Sequence, residues 1–215
     1  FSRQGKRVIV TTTTHMAWEE DRPFADAEDT EELCRLIEQY GYVIAAKHKA
    51  GQPKISGPEP ETLKRLSGFC DLLLVEADGA RRLPLKVPAV HEPVIPEFAD
   101  IVVGVTGLDC IGKKICDIAH RPEDVAEFLR KKTDEPVMWE DVVKIASSEN
   151  GLRKNVGEKS FLVYFNKADV LESSGVAENI IKKCREAGIE AVCGSLKKIM
   201  ERQEICRKFH GIRRK

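Results

Sequence analysis

The 215-residue chain carries no surplus of charge of either sign, with 35 lysines and arginines against 35 aspartates and glutamates. A global field that would recruit nucleic acid or an anionic membrane is therefore missing, which argues against a DNA-binding module and leaves only a local patch open. No apolar run approaches the roughly 20 residues that span a bilayer, and no secretory signal is seen. The seven cysteines, Cys34, Cys70, Cys110, Cys116, Cys184, Cys193 and Cys206, are odd in number, scattered, and form no C-x-x-C pair. That usage points to a reducing cytoplasm. The expected partner is a small molecule or another protein, with no nucleic acid and no membrane. There is no internal repeat and no low-complexity segment, so a single domain over residues 1–215 is the expectation.

An initiator methionine is lacking too. The chain opens FSRQGKRVIVTTTTHM, in which Ser2 to Lys6, with Gly5 as a stop signal, read as the last turn of a helix whose start lies upstream. Apolar runs of strand length then recur at Val8–Val10, Tyr42–Ala46, Leu72–Val75, Ile101–Val105, Phe161–Phe165 and Ile189–Val192. They are continuous rather than alternating, the pattern of parallel strands covered on both faces. Amphipathic stretches at Asp29–Tyr40, Glu59–Gly68, Arg121–Lys131, Trp139–Ser147 and Val176–Ala187 lie between them. The alternation predicts an α/β three-layer sandwich with a mostly parallel sheet. Asp78 to Glu97, with Pro84, Pro88, Pro93 and Pro96, is too proline-rich for a helix. It follows a strand's C-terminal end, where open α/β sheets bind ligands, and reads as an active-site loop.

The most specific motif is Asn166-Lys167-Ala168-Asp169 at the end of an apolar run. In N-K-x-D the aspartate accepts hydrogen bonds from the N1 and N2 donors of guanine, the asparagine contacts the base and ties loops together, and the lysine stem packs over the ring. Adenine presents no matching donor pair. A polar turn closing a buried strand is the bland alternative. Glu76-Ala77-Asp78-Gly79 ends another apolar run and reads as a Walker-B-like strand end. There Glu76 and Asp78 hold Mg²⁺ and act catalytically, and the Gly79 amide approaches a phosphate; an acidic turn is the alternative. Thr14 and His15 stand at the mouth of the first strand as candidate phosphate or metal-water contacts, whereas Thr11 and Thr12 read simply as good strand residues. Arg81 and Arg82 suit an anionic group, against the ordinary reading of solvated charge. Ser195, in Cys193-Gly194-Ser195-Leu196, falls where main-chain amides back a guanine.

The segments GKRVIVTTTTHM, LLLVEADGARRLPLKVPAVHEPVIP, HRPE and NKAD, in this order, resemble the YqeC family of accessory proteins of selenium-dependent molybdenum hydroxylases. The resemblance implies a P-loop NTPase-like fold, with a glycine-rich phosphate loop on a strand and helix ahead of the first segment. That loop is not in this sequence. Taken with N-K-x-D and the acidic strand end, the expected ligand is GTP, ATP remaining open, together with Mg²⁺, and the resemblance implies a molybdenum hydroxylase or its cofactor-assembly proteins as partner. The Glu76-to-Gly79 element also resembles that of GTPases assisting metal-centre assembly. Two functions stay open: a slow GTPase that times a maturation step, and a non-catalytic nucleotide sensor or scaffold. Cytidylyl transfer is a weaker third, lacking its glycine-rich signature.

Overall fold

The computed structural model of the chain describes residues 1–17, 19–48 and 51–200. In chain order the elements are β1 (Val8–Thr12), β2 (His15–Ala17), β3 (Phe24–Asp26), α1 (Thr30–Tyr40), β4 (Tyr42–His48), β5 (Lys54–Ser56), α2 (Pro60–Leu66), β6 (Leu72–Glu76), β7 (Leu85–Lys86), β8 (Ile101–Gly107), α3 (Ile115–Ile118), β9 (Ala119–His120), α4 (Pro122–Leu129), α5 (Trp139–Ser147), β10 (Ser160–Asn166), α6 (Ser174–Glu186) and β11 (Glu190–Cys193). The architecture is mixed α/β. Two compact units form, one of Phe1–Gly79 with His91–Ala99, the other of Ala80–Val90 with the chain from Asp100 onward.

In the first unit β1 runs parallel to β4 and β6, in a register that sets Val8 beside Tyr42 and Thr12 beside Glu76. β3 adds to β4 in parallel. The order across the sheet, β2-β5-β4-β1-β6, is not wholly parallel, however, because β5 joins β4, and β2 joins β5, in antiparallel fashion. Strands β2, β3 and β5 have three residues each. Segments so short carry no readable period, so the sequence pattern shows only the longer parallel strands. Helix α1 starts where expected because the Asp29 carboxylate accepts the Glu32 N–H at 3.0 Å, and it ends at Gly41 with φ 73°. Its buried Leu33, Leu36 and Ile37 pack with Ile9, Val43, Ala45 and Leu66 in one apolar cluster.

In the second unit β8, β10 and β11 form a parallel sheet in the order β11-β10-β8. Val163 and Phe165 of β10 are fully buried against Val125 and Leu129 of α4, Val142 and Ile145 of α5, and Ile180 and Cys184 of α6. The opposite face differs from the expectation of strands covered on both sides: Ile101, Val103 and Val105 of β8 are 63%, 50% and 57% exposed. Side chains alternate across a strand, and these helices pack against the side carrying Val163 and Phe165, so a continuous apolar run does not by itself mean two covered faces. The proline-rich segment is irregular apart from β7, which pairs in parallel with β9.

Candidate functional site

The end of β10 carries the most organised polar group. Asn166 closes the strand, Lys167 turns the chain with φ 61°, and a 3-10 turn follows over Ala168–Val170. The Asn166 Oδ1 accepts the backbone N–H of Lys167 at 2.8 Å and of Leu196 at 3.1 Å. Backbone bonds from Ala168 N–H to Gly194 C=O and from Gly194 N–H to Phe165 C=O, both 2.9 Å, reinforce that tie. The loops after β10 and β11 are therefore stitched together by one side chain and two main-chain bonds. Asp169 is exposed, and the Ser195 hydroxyl holds its carboxyl below the usual range, keeping it ionised as an acceptor. Gly194 has to be glycine: a Cβ there would lie 2.6 Å from the Tyr164 hydroxyl, which is itself buried. Asn166, Lys167, Asp169 and Ser195 thus come together.

Asp109, which sequence reasoning missed, belongs to the same group. It stands in the turn Leu108–Cys110 after β8, and its Oδ2 receives the Lys167 ammonium at 2.7 Å. The available signal was an aspartate two residues after Thr106-Gly107 at a strand's C-terminal end. The start of the proline-rich segment is tied there too, since the Gly107 N–H and the Thr106 hydroxyl both donate to Pro84 C=O at 2.9 Å. Just ahead of Pro84, Arg81 and Arg82 have φ 51° and 64°, and the Leu83 N–H closes on Ala80 C=O at 2.9 Å. Positive φ at both central residues is the geometry of a type I′ turn, normally filled by Asn-Gly. Two exposed arginines occupy it instead.

The remaining candidates lie in the first unit. Glu76 ends β6, and its backbone carbonyl accepts the Thr12 hydroxyl at 2.9 Å and the Thr13 N–H at 3.0 Å. Its carboxyl is raised above the ordinary value by desolvation and then by the charge of Asp78. Gly79 lies close by, its Cβ position 3.7 Å from Glu76 Oε1. Thr14 donates its N–H to Thr12 Oγ1 at 2.9 Å. His15 does not cap the mouth of β1; it begins β2 and pairs antiparallel with Ser56, exposed to solvent. Thr11 and Thr12 are buried strand residues, as read. No group of three or more His, Cys, Asp or Glu side chains among the described residues is placed to hold a metal ion, so Glu76 and Asp78 stand as a pair. No helix among them is long and apolar enough to cross a membrane.

Comparison with known proteins decides the family. The YqeC protein family matches residues 1–123, and the YqeC protein of Escherichia coli (strain K12), described as uncharacterized, is 31% identical over 212 residues, 95% of this chain and 82% of that protein. The chain belongs to the YqeC family. Glu76, Asp78, Gly79, Arg81, Arg82 and Asp109 lie within the family match, whereas Asn166, Lys167, Asp169 and Ser195 lie beyond it. For the rest of the YqeC chain the wider similarity is to the E. coli protein. No solved structure matches.

Proposed function

We propose that this YqeC-family protein binds a guanine nucleotide through Asn166, Lys167, Asp169 and Ser195, and serves as an accessory protein in maturing a selenium-dependent molybdenum hydroxylase. The observation that carries the first part is the Asn166 carboxamide, whose oxygen is spent on two backbone N–H groups while the ionised Asp169 stays exposed beside Ser195. A generic polar turn needs no such tie between two loops. The resemblance of the VEADG segment to metal-centre assembly GTPases supports the second part, as does the P-loop-like reading of parallel strands ending in these motifs. Glu76 and Asp78 are the residues that would hold Mg²⁺: hard carboxylate oxygens suit that ion, and a cation offsets the desolvation and, after it, the repulsion from Asp78 that together make Glu76 reluctant to ionise. When bound, Mg²⁺ supplies neutralisation of phosphate charge. Donors suited to phosphate oxygens are offered within the second unit by the Arg81-Arg82 turn and, separately, within the first by Thr14, with exposed His15 a weaker candidate.

Titration of fluorescent GTP and ATP tests the base reading. Asp169→Asn places a donor against the donors of guanine, so GTP affinity is expected to fall about tenfold or more, a mismatch of roughly 1–3 kcal/mol, with ATP affinity unchanged. Equal GTP affinity in both proteins, or a preference for ATP, refutes guanine recognition. No glutamine or arginine finger is assigned, so intrinsic hydrolysis is slow on this reading. Phosphate release measured with and without the hydroxylase separates a timing GTPase from a sensor without turnover.

A further inference from the structure

Asp109 is unaccounted for by the reading of N-K-x-D alone. Its Oδ2 holds the Lys167 ammonium at 2.7 Å, while its Oδ1 is buried with no hydrogen-bond partner among the described residues. The approach is close: a Cβ on Gly107 would fall 2.5 Å from that same oxygen, so the glycine ending β8 is what admits the carboxylate. A structural ion pair has no need of this arrangement. Exposed pairs contribute little to stability, and a carboxylate with one oxygen desolvated and unpaired is a liability compared with an apolar side chain. Lys167 is also held in a left-handed backbone conformation that a lysine adopts at a cost. Two unfavourable features thus converge on the placement of one ammonium group, next to the carboxamide that ties the two loops.

We propose that Asp109 is a positioning residue of the nucleotide site: it clamps the Lys167 ammonium so that the lysine's aliphatic stem is presented to the base. This rests on the guanine-nucleotide reading above. The loop after β8 is then part of the site, and specificity depends on an ion pair between residues 58 positions apart.

The test is calorimetric titration of GTP into the full chain and its Asp109→Asn, Lys167→Met and doubly substituted variants, with Asp169→Asn as the reference for base recognition. Each single change is expected to weaken GTP binding about tenfold, the loss of one charge-assisted contact, and the double variant to bind no more weakly than Lys167→Met alone. Non-additivity shows that the two side chains act as a unit; GTP affinity lost at an unchanged melting temperature is the result that a merely structural pair would not give. Unchanged binding by Asp109→Asn, with Asp169→Asn weakened, overturns the positioning role and leaves the base site intact. Losses that multiply in the double variant also overturn it, since Asp109 would then act independently of Lys167. Absence of GTP affinity in the unaltered chain, or indifference to Asp169→Asn, overturns both readings together. Should Asp109→Asn fail to fold, Lys167→Met decides alone: the lysine side chain is 44% exposed, and wild-type GTP affinity in that variant leaves Asp109 nothing to position.

Discussion

Truncating Asn166 to alanine is the most informative perturbation of the candidate site. Its carbonyl oxygen accepts two backbone N–H bonds, at 2.8 Å from Lys167 and 3.1 Å from Leu196. Each such bond contributes about 0.5–1.5 kcal/mol net. Leu196 is exposed, so water recovers part of the second, and the expected total loss is about 1.5 kcal/mol. For a chain of this length 1 kcal/mol corresponds to about 2–4 °C in melting temperature, which sets the expected drop at about 3–6 °C. The chain forms two compact units that need not melt together. Unfolding is therefore best followed by the fluorescence of Trp139, which opens α5 in the second unit, in a Trp18→Phe background. GTP affinity is expected to fall further than one lost contact explains, because the tie between Asp169 and Ser195 loosens with it. Asn166→Asp keeps an acceptor oxygen and should lose less stability than alanine. An Asn166→Ala protein with unchanged melting temperature and unchanged GTP affinity would show that the tie holds nothing.

Three further outcomes are expected. Hydrogen bonds from the Arg7 side chain and backbone hold the Asp71 carboxyl at about 2 instead of 3.8; the native state favours the ionised form, so the contribution is present above about pH 4 and lost as pH falls towards 2. Urea midpoints across that window should decline less steeply for Asp71→Asn, and parallel curves would contradict the assignment. Glu76→Gln removes a half-buried charge beside Asp78 and should raise thermal stability at neutral pH while abolishing any gain from added Mg²⁺; equal stabilisation by Mg²⁺ in both proteins argues against the carboxylate pair. Replacing Arg81 by Asn and Arg82 by Gly installs the residues preferred by a turn with φ 51° and 64°, expected to stabilise by about 1 kcal/mol in denaturant titrations while weakening binding of anions. A destabilised variant would mean that the arginine side chains hold the turn.

Much of this protein is written locally. The Asp29 cap, the acidic first turn and Gly41 determine α1 within a few residues of its ends, because caps and helical period act over a few positions. The apolar runs from Val8, Leu72, Ile101 and Phe161 are strands for the same reason, and the polar motifs that close them, Glu76 to Gly79 and Asn166 to Asp169, were legible as candidates. What short-range pattern does not carry is which surfaces meet. Strands β2 and β5 pair antiparallel through three residues each, too few for a period to show. Residues Ile101, Val103 and Val105 look like core in the sequence and are exposed in the fold, because one-sided packing of helices leaves alternate side chains of a strand outside. His15 follows the mouth of β1 in sequence, yet a bend at Thr13-Thr14 carries it into another strand.

The sequence by itself determined the chemistry available at each strand end: a carboxamide, an ammonium, carboxylates, hydroxyls and a pair of guanidinium groups. Only the tertiary structure decided their company. Parallel register between β8 and β10 sets Gly107 beside Asn166, and that alignment brings Asp109 onto Lys167 across 58 residues of chain. Parallel strands are joined by long crossovers, so no local rule fixes which loop follows which strand into the same corner. The backbone of Arg81 and Arg82 is likewise a tertiary outcome, held left-handed where Pro84 is bound to Thr106 and Gly107; propensity alone would have put glycine there, and contacts made elsewhere outweigh it.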